Sequence, residues 1–304
     1  MTETTDKHGI LLPQRCLGNT GKMVTMLGTG GAHVGRTESE SEAQAIVETA
    51  IEGGVRFFDN AHAYQNGRAE ERYGQYLTPK YRDEVFVMTK TTAKDGKTAQ
   101  EHLETSLQRM KVDYLDLWQV HALKDPQDVD ARIEHGVLDV FEKAKAEGKV
   151  RHIGFTGHTS PHAHARMLER TDIFETCQMP INCADPSFES FILIVLPELV
   201  KRNMGVLAMK TLSNGGFFGG DKQYEHGPHP LLVPDRVSIP EALTFSWSHP
   251  ISVLITGADN AEQMQQKIGI AKSFQPIDEA AKQELIDRVA DRAGNIVEFY
   301  KQVI

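Results

Sequence analysis

What this chain lacks narrows its function before any motif is read. It has three cysteines, Cys16, Cys177 and Cys183, an odd number with no metal-ligand spacing. Two of them sit in apolar surroundings, which suits a reducing compartment better than a disulfide framework. No run reaches the ~18 apolar residues of a membrane span, and residues 1 to 8 show no basic stretch leading into an apolar one. Positive charge is also scarce: 33 Lys and Arg face 42 Asp and Glu, a net charge of -9, with no basic stripe. Nucleic acid and anionic membrane are therefore poor partners, and a small molecule is the better expectation. No Pro/Gly/Ser-rich linker divides the 304 residues. The expectation is a cytoplasmic protein with residues 1–14 as a disordered tail and residues 15–304 as a single domain, homo-oligomerisation being left open.

What is present is an alternation of strand and helix signals. Two short apolar runs flank Gly18-Asn19-Thr20-Gly21, a hairpin signal. A helix pattern over 40–52 ends at Gly53-Gly54 and feeds a strand at 55–58. Further strands are expected at 85–90, 114–120, 150–155, 175–179, 205–209 and 251–255. Between them lie a helix from the capping box Thr98 to Glu101, a long helix carrying Ile133, Val137, Phe141 and Ala144, and helices opening at Ser160-Pro161 and at the capping box Ser238 to Glu241. Helices over about 260–272 and 278–292 close the chain. About eight strands in this rhythm predict an α/β fold, a closed (β/α)8 barrel with an N-terminal hairpin and extra C-terminal helices. An open doubly wound sheet is the alternative. The glycine loop Gly28 to Gly35 argues for it only weakly, because the polar stretch Arg36 to Glu40 separates that loop from the next helix pattern.

In such a barrel the C-terminal strand ends share one mouth. Here they supply Asp59, then Lys90, then His121, with Tyr64 just after the first. Taken singly, Asp59 is a turn cap and Tyr64 is packing. Together they suit proton donation to a carbonyl. A phenol of pKa about 10 is a poor acid near neutrality, but a nearby ammonium favours the phenolate. Asp59 would fix Lys90, Lys90 would tune Tyr64, and His121 would hydrogen-bond the substrate oxygen.

These residues carry a family resemblance. The chain resembles the aldo-keto reductases, whose tetrad is Asp, Tyr, Lys and His at these barrel positions. The matching motifs are Arg15-x-Leu17-Gly18-x-Thr20-Gly21, then Phe58-Asp59-x-Ala61-x-x-Tyr64-x-x-Gly67-x-x-Glu70-x-x-x-Gly74, Thr89-Lys90, Asp113 to Leu117 leading to His121, and Arg151-x-Ile153-Gly154. Together they span about residues 15 to 272.

The resemblance implies NAD(P)H-dependent reduction of an aldehyde or ketone, Tyr64 being the proton donor. It also implies cofactor contacts. The family's Ser-Asn pair for the nicotinamide amide reads Thr156-Gly157, so His158 is a candidate substitute, and its Gln is Gln178. Met209 stands where many members stack a Tyr, Lys210 falls in the pyrophosphate segment, and Gly31 and Leu212 join the set. In the loop after the eighth strand, which reads the 2'-phosphate, relatives carry Lys, Ser and Arg where this chain has Gly257, Ala258 and Gln263, with Asp259 beside them. Only Lys267 restores a cation. NADP(H) is the first choice, with appreciable use of NAD(H).

His158, His162, His164, His226 and His229 are read as solvated loop residues and not as metal ligands. Phe217, Phe218 and Tyr224, in the loop from Ser213 to Arg236, suggest an aromatic-lined substrate pocket. The competing reading is a cofactor-sensing regulatory subunit that docks through the apolar run Phe191 to Leu196.

Overall fold

The structure, a computed structural model, describes residues 4–213, 217, 235–294 and 297–301. Its centre is a closed barrel of eight parallel strands. In chain order these are β1 Leu27–Gly30, β2 Phe57–Asp59, β3 Phe86–Thr91, β4 Leu115–Val120, β5 Val150–Thr156, β6 Thr176–Pro180, β7 Gly205–Met209 and β8 Val253–Thr256. Strands consecutive in sequence are neighbours, and β8 returns to β1 with Leu254 opposite Leu27 and Thr256 opposite Thr29. The open sheet is thereby excluded. All eight strands run the same way, so each C-terminal end opens onto the same mouth.

The period-2 alternation of the strands builds two cores. Phe57, Met88, Leu117, Leu207 and Val253 fill the barrel interior, together with Leu17 and Val24. Those two come from a hairpin that pairs Gln14–Cys16 with Met23–Thr25 and plugs the end opposite the mouth. Gly18 makes the plug fit: its backbone is left-handed, and a side chain there would collide with Gly205 at the start of β7. The neighbouring residues Phe58, Val87, Trp118, Ala208 and Leu254 face the helices. Trp118 stacks on Phe141 with centroids 3.8 Å apart.

Most helix starts follow the sequence signals. Ser39 caps Glu40–Glu52, Ser160 caps Pro161–Arg170, and Ser238 with Glu241 forms both halves of a capping box. Several expectations are corrected. The helix Gly96–Met110 begins earlier than Thr98, because the Asp95 carboxylate accepts from Thr98 N at 2.9 Å and outcompetes the hydroxyl as cap. The long helix is two, Pro126–Glu134 and Val137–Ala146, broken where Gly136 takes φ 76°. A short helix, Gly31–Arg36, follows β1 directly.

Residues 5–14, expected within a disordered tail, are held in place. Thr5–Asp6 pairs with Gly9–Ile10, Leu12 is buried, and Asp6 accepts from Arg56 Nε and Nη2 at 2.6 and 2.9 Å. A bidentate guanidinium 50 residues away gives a polar segment its anchor, and no local periodicity announces it. The run Phe191 to Leu196 is a helical turn, Phe191–Ile194, leading into Leu196–Lys201. Phe191, Val195 and Leu196 enter the core, and Leu193 and Ile194 face solvent.

Beyond the helix Glu279–Val289 the chain returns to the mouth. Lys301, fully buried, pairs with Asp185 at 2.7 Å and Glu298 at 2.8 Å and donates to Phe188 O. Burial holds the Glu298 carboxyl above its ordinary value against the pull of the ammonium. Removing the cation from such a network costs about 3–5 kcal/mol, because it strands buried charge. Lys301→Met is therefore expected to lower the thermal midpoint or, where undocking costs less, to open the C-terminal segment to limited proteolysis. An unchanged midpoint with unchanged cleavage would contradict this role.

Candidate active site

β2 ends at Asp59 and β3 carries Lys90, and the two side chains meet at the base of the mouth. Lys90 Nζ lies 2.5 Å from Asp59 Oδ1, donates to Asn60 O at 2.6 Å and donates to Tyr64 Oη at 3.2 Å. Two of its three N–H donors make these hydrogen bonds, and the Asp59 carboxylate neutralises the charge. Burial alone would depress Lys90, but the attraction of Asp59 and the bonds to Asp59 and Tyr64 hold it above the ordinary lysine value. Burial pushes Asp59 upward, opposed by Lys90 and by a hydrogen bond from Gln178.

Tyr64 reaches this ammonium from an unusual turn. Gln65, Asn66 and Gly67 all have positive φ, at 46°, 56° and 98°. Two left-handed non-glycine residues in succession are strained and need support. Arg109 provides it, donating to His62 O and to the buried Glu70 carboxylate, both at 3.2 Å. Glu70 also accepts from Thr89 Oγ1 at 2.6 Å, one residue before Lys90. A side chain at Gly67 would collide with the Arg109 guanidinium, and one at Gly74 with Arg109 O. The spacing Gly67, Glu70, Gly74 is thus the mould of one arginine. Arg109 itself was missed by the sequence reading, since it lies in an unremarkable helix.

His121 follows β4 and meets the Tyr64 ring edge to face at 5.7 Å. Its Nδ1 is buried without a hydrogen-bond partner. Burial, reinforced by Lys90, keeps its pKa well below the ordinary histidine value. Arg132 holds the turn in place by donating to His121 O at 2.9 Å. Asp59, Tyr64, Lys90 and His121 are therefore brought together.

The residues expected to hold a cofactor divide into two groups. Around the tetrad, Thr156 ends β5 and is buried, and Gln178 lies in β6 with its Oε1 buried and unpartnered. Met209 ends β7, half-buried, followed by Lys210 with Nζ 5.6 Å from the Tyr300 ring centroid and by half-buried Leu212. Gly31 packs on the end of β2: a Cβ there would lie 2.7 Å from Asp59 O. His158 meets Tyr300 edge to face at 5.8 Å, and burial lowers its pKa to about 3.

The second group lies beyond β8. Asp259 Oδ1 is 2.9 Å from His33 Nδ1 and 2.5 Å from Arg36 Nη2. Burial would raise Asp259, but these partners hold it well below the carboxylate range. Its backbone N–H donates to Gln263 Oε1 at 3.0 Å, and Lys267 Nζ donates to Gly257 O. The His33 ring covers Gly257, and a Cβ there would collide with it. The sequence reading found one cation here, whereas Arg36 and His33 come from the short helix after β1.

Of the other histidines, His162 approaches Glu189 at 3.4 Å. His164 is not a solvated loop residue. It lies on a helix, fully buried against Phe155 and Phe191, with burial lowering its pKa to about 4. Phe217 is buried, while Phe218, Tyr224, His226 and His229 lie outside the described residues.

Comparison with known proteins agrees with this fold. The sequence model of the aldo/keto reductase family matches residues 26–245. An uncharacterized oxidoreductase of Bacillus subtilis is 24% identical over 88% of this chain and 94% of its own length. A methylglyoxal reductase of Yersinia pestis is 34% identical over 51% of this chain and 53% of its own, about half of that relative. Among solved structures, the holo form of an aldo-keto reductase from Bacillus halodurans has a TM-score of 0.75 over 91% of this chain and 96% of that one, at 20% identity. At that identity the likeness speaks for the fold.

The depressed His121 fixes a pH dependence. A histidine held below its ordinary value is neutral at every pH above that value, so no activity step is expected near pH 6.5 from this group. The pH profile of kcat/KM checks it. A limb near 6.5 that disappears in His121→Gln would show that the imidazole titrates there.

Proposed function

The chain belongs to the aldo/keto reductase family, and from that premise we propose that it reduces an aldehyde or ketone to the alcohol with NADPH or NADH, Tyr64 giving its proton to the carbonyl oxygen. The observation that carries this reading is the Lys90 ammonium bonded at once to Asp59 and Tyr64. Tyr64 Oη accepts from Lys90, so its own proton points away from the ammonium, and the charge left after proton transfer sits against a cation. Asp59 balances Lys90 and keeps it protonated in a buried place. His121, neutral, donates one hydrogen bond to the substrate oxygen without competing as the acid.

The residues fit a nicotinamide cofactor. Gln178 Oε1 is an orphaned acceptor suited to a carboxamide N–H, with the Thr156 hydroxyl nearby and His158 in place of the family's Asn. Met209 offers a polarizable face to the ring. When bound, the cofactor supplies the hydride to the carbonyl carbon. Gly257, Asp259, Gln263 and Lys267 would lie at its adenosine end. There Asp259 is matched by Arg36 and His33, so it opposes a phosphate less than its sequence suggests. NADP(H) remains the first choice and NAD(H) a usable alternative.

Aldehydes and small ketones are the proposed substrates, in keeping with the name of the Yersinia pestis relative. The sensor alternative is disfavoured, because most of the Phe191 to Leu196 run is spent on the core and a sensor needs no proton donor.

Tyr64→Phe should lower kcat for a panel of aldehydes by about 10²–10⁴-fold, the usual worth of a general acid, with cofactor affinity nearly unchanged. Undiminished turnover would remove Tyr64 from the role. Dissociation constants of NADPH and NADH should differ by no more than about 100-fold, the upper span of one charge-assisted bond. A preference above about a thousandfold would mean that the phosphate binds elsewhere.

A further inference from the structure

We propose that His102 is a positioning residue for the reduction, holding the Tyr64 phenol against the Lys90 ammonium through the ring of His62; the inference rests on the reductase reading and carries its machinery into the helix behind the mouth. Side chains alternate along β3, so Lys90 faces the barrel interior while Thr89 and Thr91 on either side of it face outward. Both hydroxyls lead to the helix Gly96–Met110. Thr91 Oγ1 lies 2.8 Å from His102 Nδ1, and Thr89 Oγ1 donates to Glu70, which accepts from Arg109. His102 and Arg109 are seven residues apart, about two turns, and so share one face of that helix.

From that face both residues reach His62, two positions before Tyr64. Arg109 Nη1 donates to His62 O at 3.2 Å, and the His102 ring stacks on the His62 ring with centroids 3.7 Å apart and planes at 16°. On the other side His62 N donates to Lys90 O at 3.0 Å. His62 is therefore gripped at its amide, its carbonyl and its ring. The stack requires neutral imidazoles. Burial holds both below the ordinary histidine value, His62 at about 4, and Arg109 beside them adds to the effect. Thr91 Oγ1 already accepts from Ala93 N at 3.1 Å, which leaves its proton to point at His102 Nδ1, the arrangement of a neutral ring.

The lengths of the Lys90 contacts show what this grip protects. The ammonium is 2.5 Å from Asp59 and 2.6 Å from Asn60 O, but 3.2 Å from Tyr64 Oη. The phenol contact is the longest of the three and is carried on a turn strained at Gln65 and Asn66. A turn that relaxes gives up the phenol first and leaves the ammonium paired with Asp59. Losing the stack should therefore weaken proton transfer while the barrel and the cofactor site stay intact.

The test reads the phenol directly. Tyr64 is titrated by ultraviolet difference absorbance against the Tyr64→Phe variant in each background, alongside kcat and KM for a panel of aldehydes and the dissociation constant of NADPH. In His102→Ala the Tyr64 pKa should rise by about one unit, because a phenolate further from the ammonium is less favoured. The basic limb of the reduction profile should move up with it, and kcat should fall about tenfold, part of the worth of a general acid, with NADPH affinity nearly unchanged. His62→Ala should match it, since each ring is half of the stack. His102→Phe, which restores an aromatic face, should recover most of both quantities, and His102→Asn, which keeps a partner for Thr91 but no ring, should not. An unmoved phenol in His102→Ala overturns the inference, whether kcat falls or not, and so does a His102→Phe no better than Ala. If His102→Ala does not fold, His62→Ala and the contrast between Phe and Asn decide by the same titration. If the wild type turns over no aldehyde or ketone, the reductase reading fails by itself, and the phenol titration still decides the positioning.

Discussion

A single buried ammonium sets the terms for the rest of this site. Lys90 is almost wholly removed from solvent, and an isolated charge there would be prohibitively costly. Its charge and its donors are met by three oxygen groups that arrive by different routes: a carboxylate at a strand end, a backbone carbonyl one residue later, and a phenol on the following turn. Each route depends on the closed barrel, which sets β2 beside β3 with Phe57 opposite Phe86 and so fixes how far the two strand ends project. The Tyr64 turn then carries strain at Gln65 and Asn66 that Arg109 and Glu70 must hold. Positioning the phenol is thus a cost met by a second buried ion pair behind it.

The same logic extends around the mouth, where buried charges are balanced by residues distant in sequence. Lys301 answers Asp185 across 116 positions, and Arg36 answers Asp259 across 223. Such pairs add little net stability compared with apolar packing of equal volume, but each is costly to break singly. They tie the C-terminal segment and the first helix to the rim and leave little freedom in the walls around the tetrad.

The sequence disclosed what obeys a local period or a fixed motif. The strands carrying Asp59, Lys90 and His121 were legible because β-branched and aromatic runs end at each of them, and the tetrad because those ends share a mouth. The glycines at 67 and 74 were visible as a motif, but their reason, the bulk and carbonyl of Arg109, was not. Contacts made at long range escaped altogether. Asp6 with Arg56, His33 and Arg36 with Asp259, and Tyr300 with His158 have no local signature. His164 was misread for the same cause: polar residues surround it in sequence, while Phe155 and Phe191 enclose it in space. Gly136 was passed over because the apolar spacing runs through it unchanged, although its left-handed backbone ends one helix and starts another.

In the loop after β8, proposed to lie at the adenosine end of the cofactor, a long-range pair changes the local charge. From sequence alone Asp259 is a negative charge beside positions that have lost their cations, and it weighs against a phosphorylated cofactor. In the fold that carboxylate is engaged by Arg36 and, through a neutral imidazole, by His33. Lys267 is turned onto Gly257 O, and burial lowers its pKa to about 8, so it too is partly occupied. Arg36 and Lys267, the latter still mostly charged at neutral pH, face one carboxylate, so the loop is not repulsive. A 2'-phosphate arriving there would compete with Asp259 for Arg36 and with Gly257 O for Lys267, and the part of its interaction spent on displacing those partners would not appear as affinity. A loop whose cations are already engaged would discriminate weakly between the two cofactors, whereas one with a dedicated free cation would favour the phosphorylated one.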